Sequence, residues 1–429
     1  MADVIPAIPE EEAGLPGPRV GEAIPRVERS QLFRAFSHRE FRLLFTATSI
    51  GDLGFWFSHI TLQSEMQDVT HKSAFWQGFL FFATFIPMLL FAPPAGVVAD
   101  RVDRKRLLVI TRFLIGVAAS ALAILLHAGV ESRGLLAGFG FVLGTLFAFL
   151  APAQQAITAN AVPSADLASA ISLLAAGNNL NRILGPAIGA LILSAAGPGW
   201  AFTAYAAVNI VTVALLVPIK ISRRQDPTEH HGAWEQWKEG LRYARERSPA
   251  LGVLISMSVL SVFGIAYVAL YPVFTTEVFD RPKNDFTMLV IASGVGALVG
   301  ALAVGLRKAG PTLRGALIWT FAFGVAALGF TFARSWELAL VLNCFVGFCY
   351  FSITTSLNTV LQELAEDEKR GRLSGLFTLT WAGLIPIGGI WMGTVADLGG
   401  APLTLQIGAS VCLVYAVIAL PRYATVPPR

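Results

Sequence analysis

The segment GVVADRVDRKR, residues 96–106, is a short basic loop between two long apolar stretches. A helix needs roughly 20 apolar residues, each adding about 1.5 Å, to cross the hydrocarbon core of a bilayer. Stretches of this length fill nearly the whole chain. The sequence predicts an all-α membrane protein with 12 transmembrane helices, at 41–64, 74–98, 107–128, 134–157, 169–194, 199–218, 250–275, 286–306, 313–332, 336–361, 373–396 and 401–420.

The composition supports a membrane protein and argues against other classes. The chain has 429 residues, of which 55% are hydrophobic and 14% charged, against about 25% charged in a soluble domain. Its three cysteines, Cys344, Cys349 and Cys412, fall in apolar spans without a nearby histidine, so neither a disulfide framework nor a zinc site is expected. The chain also lacks the phosphate loop G-x-x-x-x-G-K-[ST], so we expect no ATP hydrolysis and no cofactor.

The distribution of basic residues indicates an orientation. With the N-terminus in the cytoplasm, 25 of the 32 Lys and Arg residues lie in inner segments and five lie in outer loops. This asymmetry is the positive-inside pattern. We therefore expect both termini on the cytoplasmic side of the cell (inner or plasma) membrane. Because membrane insertion explains the basic charge, we expect contacts with membrane lipids and no nucleic acid partner.

A long polar segment divides the predicted spans into two groups of six. Within it, AWEQWKEGLRYARERSP places Trp234, Trp237 and Leu241 on one helical face, which indicates an amphipathic helix on the inner leaflet. A solvated linker helix is the alternative. The predicted domains are a disordered cytoplasmic tail (1–32), an N-terminal six-helix bundle (33–218), a cytoplasmic linker (219–249), a C-terminal six-helix bundle (250–420) and a second cytoplasmic tail (421–429).

A weak internal repeat supports this division. Span five contains GPAIGALIL and span eleven contains IPIGGIWMG, so Pro186 and Gly189 recur as Pro386 and Gly389. Each copy is followed by a short turn and another span. Together with the six-plus-six count, the repeat indicates two related bundles.

Span one carries the strongest candidate for a functional site. Asp52 lies about 11 residues into the span, roughly 16 Å deep, and Trp56, His59 and Gln63 continue one polar stripe. A charge at this depth costs several kcal/mol unless it is paired or faces water. We interpret the stripe as the wall of a central cavity, with Asp52 in proton coupling. The alternative is a hydrogen-bonded aspartate that fixes helix packing beside its flanking glycines.

Span five supplies a possible countercharge. Asn178 and Arg182 share one face of this span. We hypothesise that Arg182 pairs with Asp52 or with an anionic group of a substrate, and a permanent structural ion pair is the alternative. Arg112, near the inner end of span three, is expected to extend towards the membrane surface.

Further polar residues extend the predicted cavity. Span ten carries a stripe at three- and four-residue spacing that we expect to face the cavity, with helix–helix hydrogen bonding as the alternative for any one member. Span four adds residues within reach of the cavity, and span seven adds a candidate gate near the outer side. These residues are Asn343, Gly347, Tyr350, Thr354, Asn358 and Gln362 in span ten, Gln154 and Gln155 in span four, and Tyr267, Tyr271 and Pro272 in span seven.

The loop between spans two and three carries more than positive charge. Asp100 stands at a helix C-terminus, where the helix dipole disfavours a negative charge, so its carboxylate needs a basic partner or a helix N-terminus. Gly96 leaves room for a second helix, and Arg104 and Lys105 can reach anionic headgroups. An ordinary positive-inside loop explains the basic residues but not Gly96 and Asp100.

This loop resembles a known signature. The pattern G-x-x-x-D-R-x-x-R-[KR] resembles that of the major facilitator superfamily, and the chain matches it at Gly96, Asp100, Arg101, Arg104 and Lys105. The resemblance implies the two-bundle major facilitator fold. It also implies that the aspartate docks near the inner start of span eleven, EKRGRLS from residue 368, and latches the two halves together in the outward-open state.

Longer segments are similar to one bacterial exporter group of that superfamily, which includes the enterobactin exporter and macrolide efflux proteins. The similarity implies a monomeric secondary transporter that exports an amphipathic small molecule, such as a drug, siderophore or metabolite, in exchange for protons. Residues 59–68, HITLQSEMQD, depart from the group, so the substrate itself is not implied. The similar segments are SIGDLGFW, FIPMLLFAPPAGVVADRVDRKRLL, WKEGLRYARERSPAL and NTVLQELAEDEKRGRLSGL.

Three alternatives stay open from the sequence. An importer or uniporter is one, since the signature occurs with both directions of transport. A membrane-embedded lipid enzyme is another, with His59 and Asp52 as base and acid, although we identify no matched nucleophile in the sequence. A transport-dead receptor that uses residues 220–250 as an output surface is the third.

Overall fold

Long α-helices make up most of the protein. The computed structural model describes residues 33–220, 241–306, 310–366 and 370–423, without some side chains near helix ends. The long helices of its first part are α1 (Arg39–Val69), α2 (Ala74–Arg101), α3 (Arg104–His127), α4 (Arg133–Ala161), α5 (Leu167–Ala196) and α6 (Pro198–Leu216). Those of its second part are α7 (Ser248–Val259 and an irregular continuation), α8 (Phe286–Gly305), α9 (Leu313–Thr331), α10 (Trp336–Leu364), α11 (Arg370–Gly399) and α12 (Ala401–Arg422).

Polar caps fix where several of these helices begin. Each cap accepts a hydrogen bond from a backbone N–H in the first turn of its helix, which satisfies a donor that has no partner within the helix. The helix starts are therefore encoded locally, within an otherwise apolar chain. The caps are Ser73 for α2, Asp103 for α3, Ser132 for α4, Thr312 for α9 and Ser335 for α10.

Helix α7 is irregular over its second half. After Val259 it continues as a π-helical segment (Leu260–Gly264), a 3-10 segment (Ile265–Leu270), one α-turn (Tyr271–Val273) and a second π-helical segment (Phe274–Val278). Pro272 lies in this stretch and lacks a backbone N–H to donate, which interrupts regular helical bonding. The stretch is mostly buried, as expected for irregular backbone at membrane depth.

The helices match the predicted spans closely. Ten helices in the described ranges are long and apolar enough to cross a membrane. Helices α1 and α5 are not among those ten, because the polar residues of predicted spans one and five lower their mean hydropathy. The prediction of an all-helical, multi-span membrane protein is therefore confirmed for the described residues.

The buried apolar side chains form two large clusters. One draws on residues 35–219 and the other on residues 243–419, with Ile60 and Ala74 as the contributions of the first half to the second cluster. A small third cluster, Phe81 with Ala269 and Ile385, joins the two halves. Each half of the chain thus has a core of its own.

Two helix pairs carry most of the packing between the halves. Helix α2 runs along α11, and a methyl group added at Gly78 would overlap the carbonyl oxygen of Gly389. Small residues allow such close backbone approach in membrane proteins. Helix α5 packs on α8 around Ile183 and Gly294.

The two ends of the molecule carry different parts of the chain. We call the end with the start of α1 and the last turn of α12 the proximal end, and the opposite end, with residues 70–73 and 279–285, the distal end. The tails 1–32 and 424–429 and the linker residues 221–240, with Trp234 and Trp237, lie outside the described residues. Residues 241–246, at the end of the predicted linker helix, are helical.

Candidate functional site

A buried ion pair joins α1 to α3. Arg112 Nη2 donates to Asp52 Oδ1 at 2.6 Å, and Gln154 Nε2 of α4 approaches Asp52 Oδ2 at 3.4 Å. The Arg112 side chain is 0% exposed. Two predictions are therefore wrong: Asp52 pairs with Arg112 and not with Arg182, and Arg112 does not extend to the membrane surface. The signal that could have predicted this pair is the position of Arg112 inside an apolar span, where a charge needs a partner.

Local sequence makes room for this pair. A methyl group added at Gly51 would overlap the Arg112 guanidinium, so the glycine beside Asp52 admits the arginine head group. Arg112 Nε and Nη1 have no hydrogen-bond partner in the described structure. Removing a charged pair from water costs several kcal/mol per ion, and the attraction repays it only with good geometry and further hydrogen bonds. The incomplete bonding of Arg112 makes this pair sensitive to loss of charge at Asp52.

The rest of the span-one stripe is mostly buried. His59 stacks on Phe55 with ring centroids 6.1 Å apart and also contacts Phe81 and Phe85 of α2. Gln63 is 2% exposed and accepts a hydrogen bond from Gln77 Nε2 through its backbone oxygen. Of the stripe's four members, Trp56 is the one that is partly exposed. In this conformation the prediction that His59 and Gln63 face an open cavity is wrong, because α2 covers them.

Arg182 occupies a different place, between the two halves. Its guanidinium carbon lies 5.2 Å from the Trp56 ring centroid of α1 and 4.3 Å from the Phe351 ring centroid of α10. None of the ion pairs found among the described residues includes Arg182. Phe351 did not stand out in the sequence because aromatic residues are common in apolar spans.

The asparagines of α5 have separate roles. Asn181 Nδ2 donates to the backbone oxygen of Ser49 at 2.8 Å and ties α5 to α1. Asn178, predicted to share a face with Arg182, is exposed. Asn179 donates within its own helix, to Ala175.

The span-ten stripe divides into two parts. Asn343 is fully buried, accepts from Tyr267 at 2.7 Å and Tyr271 at 3.0 Å, and donates to Leu289 O at 2.7 Å. It is therefore a packing residue, and its prediction as a cavity residue is wrong. Gly347 likewise lies against the backbone of α8.

The second part of the stripe runs from Tyr350 to Gln362, towards the end of α10. The Tyr350 hydroxyl accepts from Trp381 Nε1 of α11 at 2.7 Å. Thr354 and Asn358 are partly exposed, and Asn358 Oδ1 accepts from Gln362 at 2.8 Å. Tyr350 is one position before Phe351 on α10. Gln155 of α4 is exposed.

The distal end is held closed by bonds between the halves. Gln67 Nε2 of α1 donates to Pro272 O at 3.0 Å and to Thr276 Oγ1 at 2.9 Å in α7. Ser64 Oγ donates to Asn284 Oδ1 at 3.1 Å. Lys283 forms an ion pair with Asp68. Pro272 thus takes part in a distal closure, although through its backbone oxygen.

A second closure joins α2 to α11 at the same end. Asp397 accepts a hydrogen bond from Ser73 Oγ at 2.9 Å and from the backbone N–H of Ala74 at 2.6 Å. The carboxylate thus caps the N-terminus of α2, where a negative charge is favourable.

The signature loop is described only in part. Lys105 Nζ donates to Val217 O at 2.6 Å, just beyond the C-terminus of α6, where a positive charge is favourable. Among the described residues, a methyl group at Gly96 would meet nothing within 4 Å. Arg104 is partly buried at the start of α3. The predicted docking of Asp100 and Arg101 near residue 368 lies outside the described residues and side chains.

This architecture is that of a multi-span membrane protein, with charged and aromatic side chains where its two halves meet. Comparison with known proteins identifies its family. The chain belongs to the transmembrane secretion effector family of the major facilitator superfamily, whose model matches residues 30–427. Members of this family are transporters and not enzymes, so the lipid-enzyme alternative is excluded.

Two characterised relatives cover most of the chain. The staphyloferrin A transporter of Staphylococcus aureus is 25% identical over 368 residues, which is 85% of this chain and 90% of the relative. The enterobactin exporter EntS of Shigella flexneri is 27% identical over 412 residues, 92% of this chain and 95% of the relative.

Solved structures share the fold at low identity. A mutant of the nucleoside transporter NupG matches with a TM-score of 0.73 and 16% identity, covering 89% of this chain and 99% of that one. A bacterial homologue of the human lysosomal transporter Spinster, in an inward-facing and unoccupied conformation, matches with a TM-score of 0.69 and 13% identity, covering 90% and 96%. The predicted relationship to major facilitator transporters is confirmed.

Proposed function

We propose that this protein is a proton-coupled secondary transporter that exports an amphipathic small molecule by alternating access. In this proposal twelve transmembrane helices form two six-helix bundles, and the monomer lies in the inner or plasma membrane with both termini in the cytoplasm. The observation that carries the coupling proposal is the buried Asp52–Arg112 pair inside a transporter fold.

The two-bundle arrangement has two supports. The apolar core divides into one cluster from each half of the chain. Six of the ten apolar helices lie in the second half and four in the first, and the long polar helices α1 and α5 bring the first group to six. The positive-inside pattern then assigns the proximal end to the cytoplasm and the distal end to the outside.

Alternating access is supported by the distribution of bonds between the halves. At the distal end Gln67, Lys283 and Asp397 each bond across the two halves. With the distal end assigned to the outside, these contacts close the pathway to the outside. Transport then requires that they break while the signature loop and its docking site close the proximal end. Asp100, Arg101 and Arg104 keep their proposed latch role there.

Proton coupling follows from the chemistry of the buried pair. A proton that binds Asp52 converts its carboxylate to a neutral acid and removes the countercharge of Arg112. A buried guanidinium without a countercharge is costly, so the conformations that give Arg112 water or another acceptor gain population. Loss of the proton to the other side restores the pair. Gln154 Nε2 donates a hydrogen bond to the same carboxylate.

The aromatic side chains at the centre support an amphipathic substrate. Trp56, Phe351 and Trp381 are partly exposed where the halves meet. Flat apolar faces beside a cation suit a molecule with an apolar body and a polar group. The relatives named for staphyloferrin A and enterobactin make siderophores one class to examine, together with drugs and metabolites.

A secretion and resistance screen tests this function. We would express the protein in a host that lacks its own efflux pumps, and measure retention of a panel of drugs, siderophores and aromatic acids. We expect at least one compound to be extruded, and an uncoupler or Asp52→Asn to abolish its extrusion. Asp280→Asn is the matched control, because Asp280 is exposed in a loop and asparagine tolerates its positive φ of 49°.

The same screen separates the remaining alternatives. Uptake that rises on expression would favour an importer, and equilibration that ignores the uncoupler would favour a uniporter. Extrusion that persists in Asp52→Asn would exclude Asp52 from coupling. A protein that moves none of the panel, while remaining folded in the membrane, would favour the transport-dead receptor.

A further inference from the structure

Arg182 is a partly exposed arginine between the two halves. Unlike Arg112, it has no acidic partner among the described ion pairs. Arg112 faces Asp52, whereas Arg182 faces two aromatic rings and no carboxylate among the described ion pairs. We call Arg182, Trp56 and Phe351 the arginine clamp. Its rings come from both halves of the chain, α1 and α10, so the clamp lies where the halves meet.

The clamp leaves hydrogen-bonding capacity unused. A guanidinium has five N–H donors in one plane, and ring faces attract its charge without accepting those in-plane donors. Arg182 Nε is buried and has no hydrogen-bond partner, while the residue as a whole is partly exposed. Burial of an unpaired charged group is unfavourable. A planar oxyanion that enters from the exposed side would supply the missing acceptors.

The walls around the clamp favour an aromatic or similarly flat ligand. Trp56 is fixed in place because α5 has Gly185 against its Cβ, where a methyl group would overlap it. On the other side Tyr350 and Trp381 are hydrogen-bonded to each other at 2.7 Å. Flat rings stack on such faces, while a carboxylate pairs with the guanidinium through two parallel hydrogen bonds.

We propose that the arginine clamp binds a planar oxyanion carried next to an aromatic or flat apolar group, and that this group defines the substrate class. The proposal rests on the proposed function in placing the clamp on the transport pathway. Binding itself requires neither a proton gradient nor transport. A ligand anion held here contacts side chains of both halves, so its binding changes the contacts between the two bundles.

Equilibrium binding to the purified full-length protein tests the clamp. Three probes share one ring system and differ in charge: 2-naphthoate, 2-naphthalenemethanol and 2-naphthylmethylamine. Binding is measured by calorimetry, with tryptophan quenching as a second readout. We expect 2-naphthoate to bind roughly tenfold or more tighter than the alcohol, as a charge-assisted pair predicts, and the amine to bind weakest.

Variants assign the preference to Arg182. Arg182→Gln should reduce naphthoate affinity to that of the alcohol and leave alcohol binding unchanged. Arg182→Lys should retain part of the preference, because it keeps the charge without the planar fork. Arg133→Gln is the matched control, since Arg133 also lies over a tryptophan, Trp76, at 4.9 Å, but is exposed at the distal end; it should leave all three affinities unchanged.

Each other outcome contradicts the clamp. Absence of naphthoate binding to the wild type, equal affinity for the three probes, or an unchanged preference in Arg182→Gln would overturn it. If Arg182→Gln does not elute as a folded monomer, Phe351→Leu replaces it and should weaken naphthoate binding while leaving the anion preference in place. Anion binding without proton-coupled export would retain the clamp and reject the proposed function. Proton-coupled export that is unchanged in the Arg182 variants would reject the clamp and retain the proposed function.

Discussion

At the scale of single residues, Arg112 and Arg182 have different surroundings. Arg112 is neutralised by Asp52 on a neighbouring helix and is not exposed at all. Arg182 is held by aromatic faces and keeps unused donors. One arginine therefore suits a role in coupling, where its partner gains and loses a proton. The other suits contact with a ligand that arrives and leaves.

The buried pair makes a prediction about stability. Arg112→Met leaves the Asp52 carboxylate without a countercharge, so we expect a loss of about 3–5 kcal/mol in the free energy of unfolding. The double variant Asp52→Leu with Arg112→Met removes both charges, and we expect it to recover most of that loss while remaining inactive in export. Thermal unfolding of the purified proteins measures both. A single variant as stable as the wild type would show that the pair contributes nothing.

Sequence reasoning found Asp52 but not its partner. Depth along one apolar helix can be read from residue spacing, so a buried carboxylate was predictable at residue 52. Which helix turns an arginine towards it depends on the rotation and packing of separate helices. Hydropathy does not encode that rotation, so depth along each span favoured Arg182 as the partner and left Arg112, near the inner end of span three, for the membrane surface. The same reason hid the burial of His59 under α2 and of Asn343 between α7, α8 and α10.

At the scale of helices, contacts between small residues decide how closely α2 and α11 pack. The close backbone approach at Gly78 and Gly389 lies towards the distal end, near the bonds of Asp397 to Ser73 and Ala74. Span boundaries were predicted from apolar length alone, and the structure adds that polar caps stand at the starts of α2, α3, α4, α9 and α10. The irregular second half of α7 had one signal, Pro272, which marks a break but not the form it takes.

Gly78→Ala should destabilise the α2–α11 contact. The added methyl group meets backbone rather than a flexible side chain, so the helices must separate, and overpacking of this kind costs about 1–3 kcal/mol. Gly138→Ala is the control, since a methyl group at Gly138 of α4 meets nothing within 4 Å, and alanine in a helix is favoured over glycine by up to about 1 kcal/mol. We expect opposite shifts in melting temperature. Equal shifts of the two melting temperatures would show that the close contact at Gly78 does not limit the stability of the protein.

At the scale of the whole molecule, the bonds at the distal end define one of two required states. Ser64 and Asn284, with a side-chain oxygen separation of 3.1 Å, join α1 to the segment before α8. A transporter that works by alternating access must break such contacts in every cycle. The conformation described here is therefore one half of the proposed cycle.

A reversible cross-link tests that requirement. With Ser64→Cys and Asn284→Cys in one chain, we expect oxidation or a short bifunctional reagent to join the halves and stop export, and reduction of a disulfide to restore it. Each single cysteine variant serves as control. Undiminished export by a fully cross-linked protein would contradict alternating access through the distal end.

The proposed orientation has its own test. A cysteine at Glu131, in an exposed distal loop, should react with an impermeant maleimide added outside intact cells, and a cysteine at Arg422, exposed at the proximal end, should react only after the membrane is opened. The native Cys349 and Cys412 are buried, and Cys344 is partly so, so background labelling is measured in the parent protein. Labelling of both positions from the same side would contradict the twelve-span arrangement.

Proton movement in proteoliposomes tests the central claim, coupling through Asp52, most directly. With purified protein, a compound from the screen and a trapped pH-sensitive dye, we expect substrate movement in one direction to drive proton movement in the other. We expect Asp52→Asn to abolish the proton signal and Asp280→Asn to retain it. Substrate transport without proton movement, or the same proton signal from Asp52→Asn, would contradict the account.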